Sequence, residues 1–431
     1  MAEIIPFKAL RYDPNQVRLD DVVTQPYDKI TPEMQTRYYE ACPHNLVRIE
    51  LGRAGETDRD DFNIYTRAAE YLHDWREAGI LARDPEPSIY LYSQTFTVPG
   101  TRTVTERRGM IALGRVHDYA DQVVFRHEQT LAKPRADRLN LLRHARAHFG
   151  QIFMLYNDPE ARLEKLLSSD AEPDVSVLDE YEVLHRVWRV ADLGIIGSVQ
   201  EFMRNRKLLI ADGHHRYETA LTYRNEQRAA GGTDPNAPHE FVMMTFIPME
   251  SPGLVILPTH RVVHSLPSFD FDQFLDNAGR FFDVKHINQR SDSRSATTIL
   301  QEAGQEGTAF VAIARPGLNL LHAKKRAIAE ALEALPARQQ ELDVIQLHKV
   351  LLEKVLGISQ EAIINQQNVK YERDASEAIA QVRQGANVAF LMNPALIEQV
   401  SKVAFAGEVL PQKSTDFYPK LLSGLTIYAL D

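Results

Sequence analysis

Apolar positions recur along this chain with two different spacings, one typical of helices and one typical of strands. Between residues 58 and 78 they recur every three or four positions, which predicts a helix with one buried face. Residues 88–98 and 107–116 are rich in strand-forming side chains instead, and the Pro99-Gly100 turn between them predicts an antiparallel pair. Strands and helices alternate through the rest of the chain, so the pattern predicts an α/β protein with a mixed sheet.

The remaining elements are predicted in the same way, strands from short apolar runs and helices from periodic ones. The predicted strands are 151–156, 181–191, 207–211, 241–247, 254–258, 282–286, 308–313, 318–322 and 426–430. The predicted helices are 134–148, 196–206, one from near 216, 272–280, 325–334, 341–356, 375–384 and 393–404.

The length of the chain and a change in its texture predict two domains. A chain of 431 residues is too long for one ordinary core, and its elements become shorter from about residue 266. The first domain, 1–265, is expected to bind phosphate and to carry out catalysis. The second, 266–431, is expected to be a further α/β domain, and its tail, 408–425, is a candidate to return to the active site.

Charge and cysteine content narrow the class of protein. The formal net charge is −10, and the basic residues are interspersed with acidic ones. Proteins that hold duplex nucleic acid usually carry a basic stripe, so nucleic acid is not expected as a partner. The single cysteine, Cys42, cannot form an intramolecular disulfide, which is typical of a reducing compartment. No window approaches the roughly 20 apolar residues that cross a bilayer, so we expect a cytoplasmic protein without a membrane partner.

The most informative segment is Asp212-Gly213-His214-His215-Arg216, which follows a predicted strand and opens a predicted helix. Gly213 permits a sharp turn close to a ligand. The first amides of a helix have no partner inside it, and the helix dipole adds partial positive charge there. His214, His215 and Arg216 add side-chain donors, and an arginine can hold two phosphate oxygens at once. The segment therefore predicts a phosphate site, beside which Asp212 would hold Mg²⁺ or orient a histidine.

Two other interpretations of this segment stay open. Asp212 would act as an ordinary helix cap in the first, with the two histidines on the surface. In the second, His214 and His215 bind a metal ion. Adjacent residues point in different directions, however, and they chelate one ion poorly.

Other polar segments supply further candidates, each with an ordinary surface turn or loop as the alternative. An enzyme that transfers a group to a hydroxyl needs a carboxylate to take the hydroxyl proton and cations to hold the transferred group. Glu128, beside His127 in a polar loop, is the first candidate for this base, and Asp28 is the second. Thr130 and Lys133 lie in the same loop, and Arg138 lies in the predicted helix that follows it.

Three more segments are rich in hydrogen-bond donors. His260 and Arg261 follow a predicted strand, and we expect them at the same sheet edge as 212–216. A second segment contains Lys413, Ser414, Thr415 and Lys420. Its composition would suit closing over an anionic molecule that donates the transferred group. Tyr27 beside Asp28 is expected to line a pocket, with Asp28 as a metal ligand.

These segments carry a resemblance to known proteins. Asp-Gly-His-His-Arg after a strand resembles the phosphate-gripping motif of the ParB/sulfiredoxin-like fold, which includes chromosome-partitioning nucleotide hydrolases, sulfiredoxins and free-serine kinases. Over more of its length the chain resembles the family of domain of unknown function 1015. The matching stretches are 25–30, 127–130, 211–220, 252–261 and 411–421.

The resemblance implies a ParB/sulfiredoxin-like phosphate-binding core and phosphoryl transfer to the hydroxyl of free L-serine, giving O-phosphoserine. The donor is left open among pyrophosphate, ADP and ATP, and Mg²⁺ is the expected cofactor. The expected catalytic residues are His127, Glu128, Asp28 and Asp212, of which Asp28 and Asp212 are also the expected metal ligands. The expected phosphate-binding residues are Gly213, His214, His215, Arg216, His260, Arg261, Lys413, Ser414, Thr415 and Lys420. The expected substrate-binding residues are Tyr27, Thr130, Lys133 and Arg138.

Two other function classes remain open. A nucleotide or phosphoester hydrolase would use the same anion site with water as the acceptor. A binding or regulatory protein like the partitioning proteins is disfavoured by the acidic charge. The chain lacks a Walker-type loop and the protein-kinase motifs, which leaves room for pyrophosphate as the donor. The expected partners are L-serine and the donor, and a homodimer is left open.

Overall fold

The computed structural model describes residues 1–128, 132–168, 171–287 and 293–431, with the backbone alone for 132–135. Thr130 and the side chain of Lys133 therefore lie outside what is described. The chain divides into two compact units. The first contains Met1–Arg126, Thr130–Val255 and Pro419–Asp431, and the second contains His127–Gln129 and Ile256–Tyr418.

The strands follow the chain from β1 to β21. They are β1 Ile4–Ile5, β2 Leu10–Tyr12, β3 Leu81–Arg83, β4 Ile89–Thr97, β5 Val104–Arg115, β6 Val124–Phe125, β7 Ala147–His148, β8 Ile152–Tyr156, β9 Val175–Leu178, β10 Leu184–Val190 and β11 Leu208–Asp212. They continue as β12 Phe241–Pro248, β13 Val255–Leu257, β14 His260–Val263, β15 Phe282–Ile287, β16 Ala309–Ala314, β17 Gly317–Ala323, β18 Val369–Glu372, β19 Val388–Met392, β20 Asp416–Tyr418 and β21 Tyr428–Ala429.

The α-helices are numbered in the same order. They are α1 Pro32–Ala41, α2 Val47–Glu50, α3 Ile64–Glu77, α4 Ala132–Ala145, α5 Arg162–Leu166, α6 Leu193–Met203, α7 His214–Ala229, α8 Phe271–Ala278, α9 Ser293–Gly304, α10 Lys325–Ala331, α11 Ala337–Gln340, α12 Asp343–Gln346, α13 Gln360–Ile364, α14 Ala375–Arg383 and α15 Ile397–Phe405. A 3₁₀ turn covers Tyr27–Lys29, and a π-helix covers Leu347–Val355.

A mixed sheet forms the centre of the first unit. Its described strands run in the order β6-β11-β8-β12-β5-β4-β10-β9, with β1 beside β5. β11 is parallel to β6 and antiparallel to β8, whereas β8 is parallel to β12. β8 and the first seven residues of β12 are buried without alternation, as in strands covered on both faces. The mixed α/β class predicted from the sequence is confirmed, and so is the antiparallel pairing of β4 with β5.

Apolar helix faces cover this sheet. Ile196, Val199 and Met203 of α6 recur at helical spacing and pack with sheet residues in one core. Tyr217 and Ala220 of α7 belong to the same core. The packing of α7 fixes the position of its first turn, which contains the motif singled out in the sequence.

The last residues of the chain are built into the first unit. Leu10 and Ile427 exchange two backbone hydrogen bonds of 2.9 Å, and Thr24 and Ser423 exchange two of 3.2 and 2.9 Å. β21 pairs antiparallel with β7. Because these bonds tie the tail to the body of the unit, its side chains are held in fixed places.

The second unit has its own sheet and core. Its described strands run in the order β15-β17-β16-β19-β14-β18, and every pair is antiparallel. Helices α9 and α14 pack on this sheet through Ala296, Leu300, Ala378 and Ile379.

Two expectations about the second unit are wrong, and two strands of its sheet were missed. β18 and β19 were not predicted, since Val388–Met392 is an unbroken apolar run that shows neither helical nor strand spacing. The helix predicted over 341–356 is divided between α12 and the π-helix. His260 and Arg261 do not share a sheet edge with 212–216, because β14 lies between β19 and β18 in the second unit's own sheet. Within the described residues, no helix combines the length and the apolar character needed to cross a bilayer.

Candidate functional site

β11 and α7 are joined by a turn centred on Gly213. Gly213 adopts the left-handed conformation (φ 91°, ψ 25°) and caps α7 without a side-chain hydrogen bond to the first turn. A Cβ atom at this position would lie 3.0 Å from Nε and 3.1 Å from Nη2 of Arg216. Glycine suits this position for two reasons: it adopts the left-handed conformation without strain, and it lets the guanidinium lie close over it, where a Cβ atom would shift the guanidinium by a few tenths of an ångström.

Two cations hold the carboxylate of Asp212 at this junction. Arg216 Nη2 donates to Oδ2 at 2.9 Å, and Lys420 Nζ donates to Oδ1 at 3.1 Å. Burial raises the pKa of Asp212, but Lys420, Arg216 and Lys29 together hold that pKa far below its usual range. We call Lys29, Arg216 and Lys420 the cationic cluster. Asp212 stays ionised within it across the ordinary pH range.

Lys420 reaches this cluster because its backbone is anchored to the sheet. Gln94 Nε2 donates to the Lys420 carbonyl at 2.8 Å, and Arg107 Nη2 donates to the Pro419 carbonyl at 2.5 Å. Arg107 also donates through Nε to Gln94 Oε1 at 3.1 Å. Burial lowers the pKa of Arg107 to about 9. The hydrogen bonds of Arg107 therefore satisfy its buried guanidinium, and they also fix the position of the tail.

A buried carboxyl group lies on the other side of Arg216. A Cβ atom on Gly150 would meet Arg216 Nη1 and Ser423 Oγ at 2.9 Å each, and Glu50 Oε1 at 3.3 Å. Glu50 is 5% exposed, and its Oε2 atom has no hydrogen-bond partner among the described residues. Burial raises the pKa of Glu50, although the charge of Arg138 opposes this.

Arg138 contacts both the backbone of Glu50 and the ring of Tyr27. Its Nη1 atom donates to the Glu50 carbonyl at 2.6 Å, and Nε donates to Asp137 Oδ2 at 2.9 Å. The guanidinium lies 4.2 Å from the centre of the Tyr27 ring. Burial raises the pKa of Tyr27 to about 12, with a further contribution from Asp28. Asp28 itself is exposed.

A second group of predicted residues meets in the second unit. His127 Nε2 lies 2.7 Å from Thr415 Oγ1, and the Lys413 amide donates to Glu128 Oε1 at 3.1 Å. The Leu410 amide donates to the His127 carbonyl at 2.7 Å. Residues 127 and 128 are therefore bound to the 410–415 segment, although nearly 300 positions separate them in the sequence.

Arg261 is buried beside this second group. It donates through Nη2 to the Lys413 carbonyl at 3.0 Å and through Nε to His348 Nε2 at 3.2 Å. Burial lowers its pKa to about 10. Burial also lowers the pKa of His260 to about 4, and its Nδ1 atom accepts from the Met392 amide at 3.3 Å. Both residues form internal contacts that position neighbouring backbone.

The sequence carries a family signature over most of this structure. The model of the family described as "Protein of unknown function (DUF1015)" matches residues 4–345. The chain belongs to the DUF1015 family. No curated protein matches it.

Several solved structures are distantly similar to this DUF1015 protein. A free serine kinase variant in complex with ADP is 11% identical with a TM-score of 0.34, covering 68% of this chain and 84% of that chain. A conserved hypothetical protein from Pyrococcus furiosus is 12% identical with a TM-score of 0.33, covering 70% and 91%. SbnI with a C-terminal truncation, from Staphylococcus aureus, is 10% identical with a TM-score of 0.37, covering 74% and 87%. Similarity at this level carries no argument about activity.

The predicted site residues of this DUF1015 protein fall into two groups, one in each unit. The first unit contains Tyr27, Asp28, Arg138, Asp212, Gly213, His214, His215, Arg216 and Lys420. The second unit contains His127, Glu128, His260, Arg261, Lys413, Ser414 and Thr415. In the first unit, His214 is buried and His215 is half-buried. The roles given to all these residues stay predictions.

The predicted metal ligands do not form a protein-built Mg²⁺ site. Both carboxylate oxygens of Asp212 are held by Arg216 and Lys420, so that coordination by Asp212 would require both ion pairs to break. Within the described residues, no three His, Cys, Asp or Glu side chains gather in a group that would hold a metal ion. No step proposed below runs through a metal, and Mg²⁺ stays a prediction.

Glu50, Arg107 and Gln94 were not predicted as site residues. A signal for Glu50 was present, since it lies in the apolar run Leu46-Val47-Arg48-Ile49-Glu50-Leu51. A carboxyl group in such a run must be neutralised or paired when the run is buried. Arg107 and Gln94 left no comparable signal, because their contacts are with a tail more than 300 positions away.

Proposed function

We propose that this DUF1015 protein is a small-molecule kinase that transfers a phosphoryl group from pyrophosphate, ADP or ATP to the hydroxyl of free L-serine. The observation that carries the proposal is the meeting of the α7 N-terminus with Arg216 and Lys420 around Asp212. Phosphoryl transfer needs little covalent chemistry from the protein. It depends on positioned positive charge along the phosphate oxygens.

The donor phosphate would bind at the first turn of α7. The 16 residues of this helix give it a full dipole, and its first-turn amides point toward the Gly213 turn. Arg216 uses one Nη atom for Asp212, and a guanidinium has further N–H groups in a planar fork that matches phosphate. The helix terminus and the guanidinium would therefore hold the same group from two directions.

Asp212 acts in this proposal as a positioning residue. Its two oxygens fix Arg216 and Lys420 on one carboxylate before any ligand arrives. Positive charge that is held in place in advance costs no reorganisation when charge develops on the transferred group. The lowered pKa of Asp212 keeps this arrangement intact at any physiological pH.

The acceptor needs a base for its hydroxyl proton. The family resemblance assigns this role to Glu128, and we retain that assignment as part of the proposal. Within the second unit its Oε1 atom accepts from the Lys413 amide. The variant Glu128→Gln keeps an oxygen for that bond while removing the basic carboxylate, so it tests the chemistry with little change in packing.

Phosphorus NMR of the full chain with Mg²⁺ and L-serine tests the proposal, with pyrophosphate, ADP and ATP in separate samples. We expect a phosphoserine signal with one donor, absent without serine and strongly reduced in Glu128→Gln. Release of inorganic phosphate at the same rate with and without serine would indicate a hydrolase instead of a kinase. If no donor is consumed in any sample, the proposed function is wrong.

A further inference from the structure

A cavity of about 750 Å³ lies inside the second unit, and none of the residues that were assigned a role is among those that line it. We call it the α12 cavity, since Asp343, Val344 and Gln346 of that helix line it. The end of α9, the loop before β16, helices α10 and α11, the end of β19 and the start of α15 also line it. Its volume lies within the range of roughly 300 to 1,000 Å³ that is usual for small-molecule sites.

The α12 cavity contains a buried acceptor without a partner. Gln346 is 5% exposed, and its Nε2 atom donates to the Gln340 carbonyl at 2.9 Å. That bond fixes the amide and leaves Oε1 buried without a hydrogen-bond partner among the described residues. A buried acceptor that lacks a partner is costly in a folded protein, and a bound donor removes the cost.

A carboxylate lies three positions earlier on the same helix. Asp343 Oδ1 accepts from Thr308 Oγ1 at 2.8 Å, and none of the ion pairs between described residues includes Asp343. Burial raises the pKa of Asp343 to about 6, although the hydrogen bond from Thr308 acts to lower it. At neutral pH Asp343 is therefore mostly ionised, and no ion pair between described residues holds its charge.

The other residues that line the cavity indicate the charge and the polarity of the rest of the ligand. The ionisable groups among the described lining residues are Lys325, Glu341 and Asp343, one positive and two negative, so the cavity disfavours an anion. The other lining side chains are mostly amides and aliphatic groups, among them Gln301, Gln305, Gln399, Ile328, Leu342 and Leu396. The aliphatic part of these walls suits a small apolar body, and the excess of negative over positive groups disfavours a phosphate.

We propose that the α12 cavity binds a small molecule that has a protonated primary amine and a short apolar body. The ammonium group donates to the Asp343 carboxylate and to Gln346 Oε1, which supplies the missing partner of each. The apolar body packs against Ile328, Leu342 and Leu396. This inference is independent of the proposed kinase activity, because all the residues that carry it lie in the second unit.

Isothermal titration calorimetry of the full chain at neutral pH tests this, with 3-methylbutylamine as the probe and 3-methylbutan-1-ol as its uncharged match. We expect the amine to bind one site and the alcohol to bind at least about tenfold more weakly, since the alcohol forms no charged hydrogen bond. Asp343→Asn keeps an oxygen for Thr308, and we expect it to weaken the amine by about tenfold or more.

Glu302→Gln is the matched control, because Glu302 is an exposed residue of α9 outside the cavity lining. It should leave the affinity for the amine unchanged. If Asp343→Asn folds poorly, as judged from its melting temperature without ligand, Gln346→Met replaces it with the same expectation. Equal binding of amine and alcohol, binding of the amine unaffected by these variants, or no binding of the amine by the wild type would each overturn the inference.

Discussion

Asp212 in the first unit and Asp343 in the second are both carboxyl groups at the edge of a core, yet their surroundings shift their pKa values in opposite directions. Asp212 is held by two cations within hydrogen-bond distance, and its pKa lies far below the usual value. Asp343 has a threonine hydroxyl instead, and burial raises its pKa to about 6. The comparison teaches that the partner, more than the burial, decides which protonation state of a carboxyl group is stabilised.

The same difference separates the ligands that we propose for the two places. Around Asp212 the positive charge is held ready for an anion, and the carboxylate positions that charge. Around Asp343 the negative charge is left for a ligand to compensate. Each of the following predictions tests one side of this contrast.

The largest effect is expected from Arg216→Ala. It removes the guanidinium next to the α7 N-terminus, and loss of one such donor lowers turnover by about 10² to 10³-fold. The measurement is the rate of phosphoserine formation by phosphorus NMR. Arg143→Ala is the control, since Arg143 forms an exposed ion pair with Glu226 and should leave the rate unchanged. Equal rates in the wild type and Arg216→Ala would show that the donor phosphate does not bind at the first turn of α7.

A smaller effect on turnover is expected from Gly213→Ala. The left-handed conformation costs a residue with a Cβ atom about 1 kcal/mol, and that Cβ atom would also displace the Arg216 guanidinium. We expect turnover to fall by less than in Arg216→Ala, by at most about 10²-fold, which is the loss that a misplacement of about 1 Å can cause. Gly231→Ala is the matched control, because Gly231 also has a positive φ (98°) but nothing lies within 4 Å of its Cβ position.

Both glycine variants should lose similar stability in thermal unfolding, and Gly213→Ala alone should lose turnover. A loss of turnover in both would mean that the strain, and not the position of Arg216, is responsible.

Asp212→Asn should destabilise the first unit at neutral pH by roughly 2 kcal/mol, since it removes a charge held by two cations. A carboxyl group with a lowered pKa adds stability above its unfolded pKa and loses that stability as the pH falls toward its folded pKa. The difference in free energy of unfolding from the wild type should therefore be full at pH 7 and shrink below about pH 4. Denaturant unfolding at several pH values measures it. A difference that does not change with pH would contradict the ionised state of Asp212.

The smallest effect is expected from Asp343→Asn, which should raise the free energy of unfolding where Asp212→Asn lowers it. A carboxyl group with a raised pKa costs stability when it ionises. The ionisation of Asp343 should therefore lower wild-type stability as the pH rises from about 4, near its unfolded pKa, through about 6, its folded pKa. Asp343→Asn should be more stable than the wild type at pH 7 by roughly 1 kcal/mol, after allowance for solvent screening. The two proteins should converge below about pH 4. A less stable Asp343→Asn at pH 7 would show that the carboxylate already has a partner.

Local patterns predicted the motif region well. The strand before Asp212, the turn at Gly213 and the helix after it follow from residues that are adjacent in sequence. β19 was missed, because a short apolar run bounded by predicted helices has no periodicity that distinguishes a strand from a buried helix. The π-helix was predicted as part of one regular helix, since its apolar residues keep nearly helical spacing.

The sequence by itself determined the mixed α/β class, the DUF1015 signature and the turn that opens α7, because each depends on short stretches of neighbouring residues. Tertiary structure alone decided that Lys420 meets Asp212, that Glu50 is buried beside Arg216 and that Asp343 faces a cavity. These arrangements join residues far apart in the chain. Charge and burial act through distance in space, and distance in space is set by the packing of whole sheets and helices, which no local spacing records.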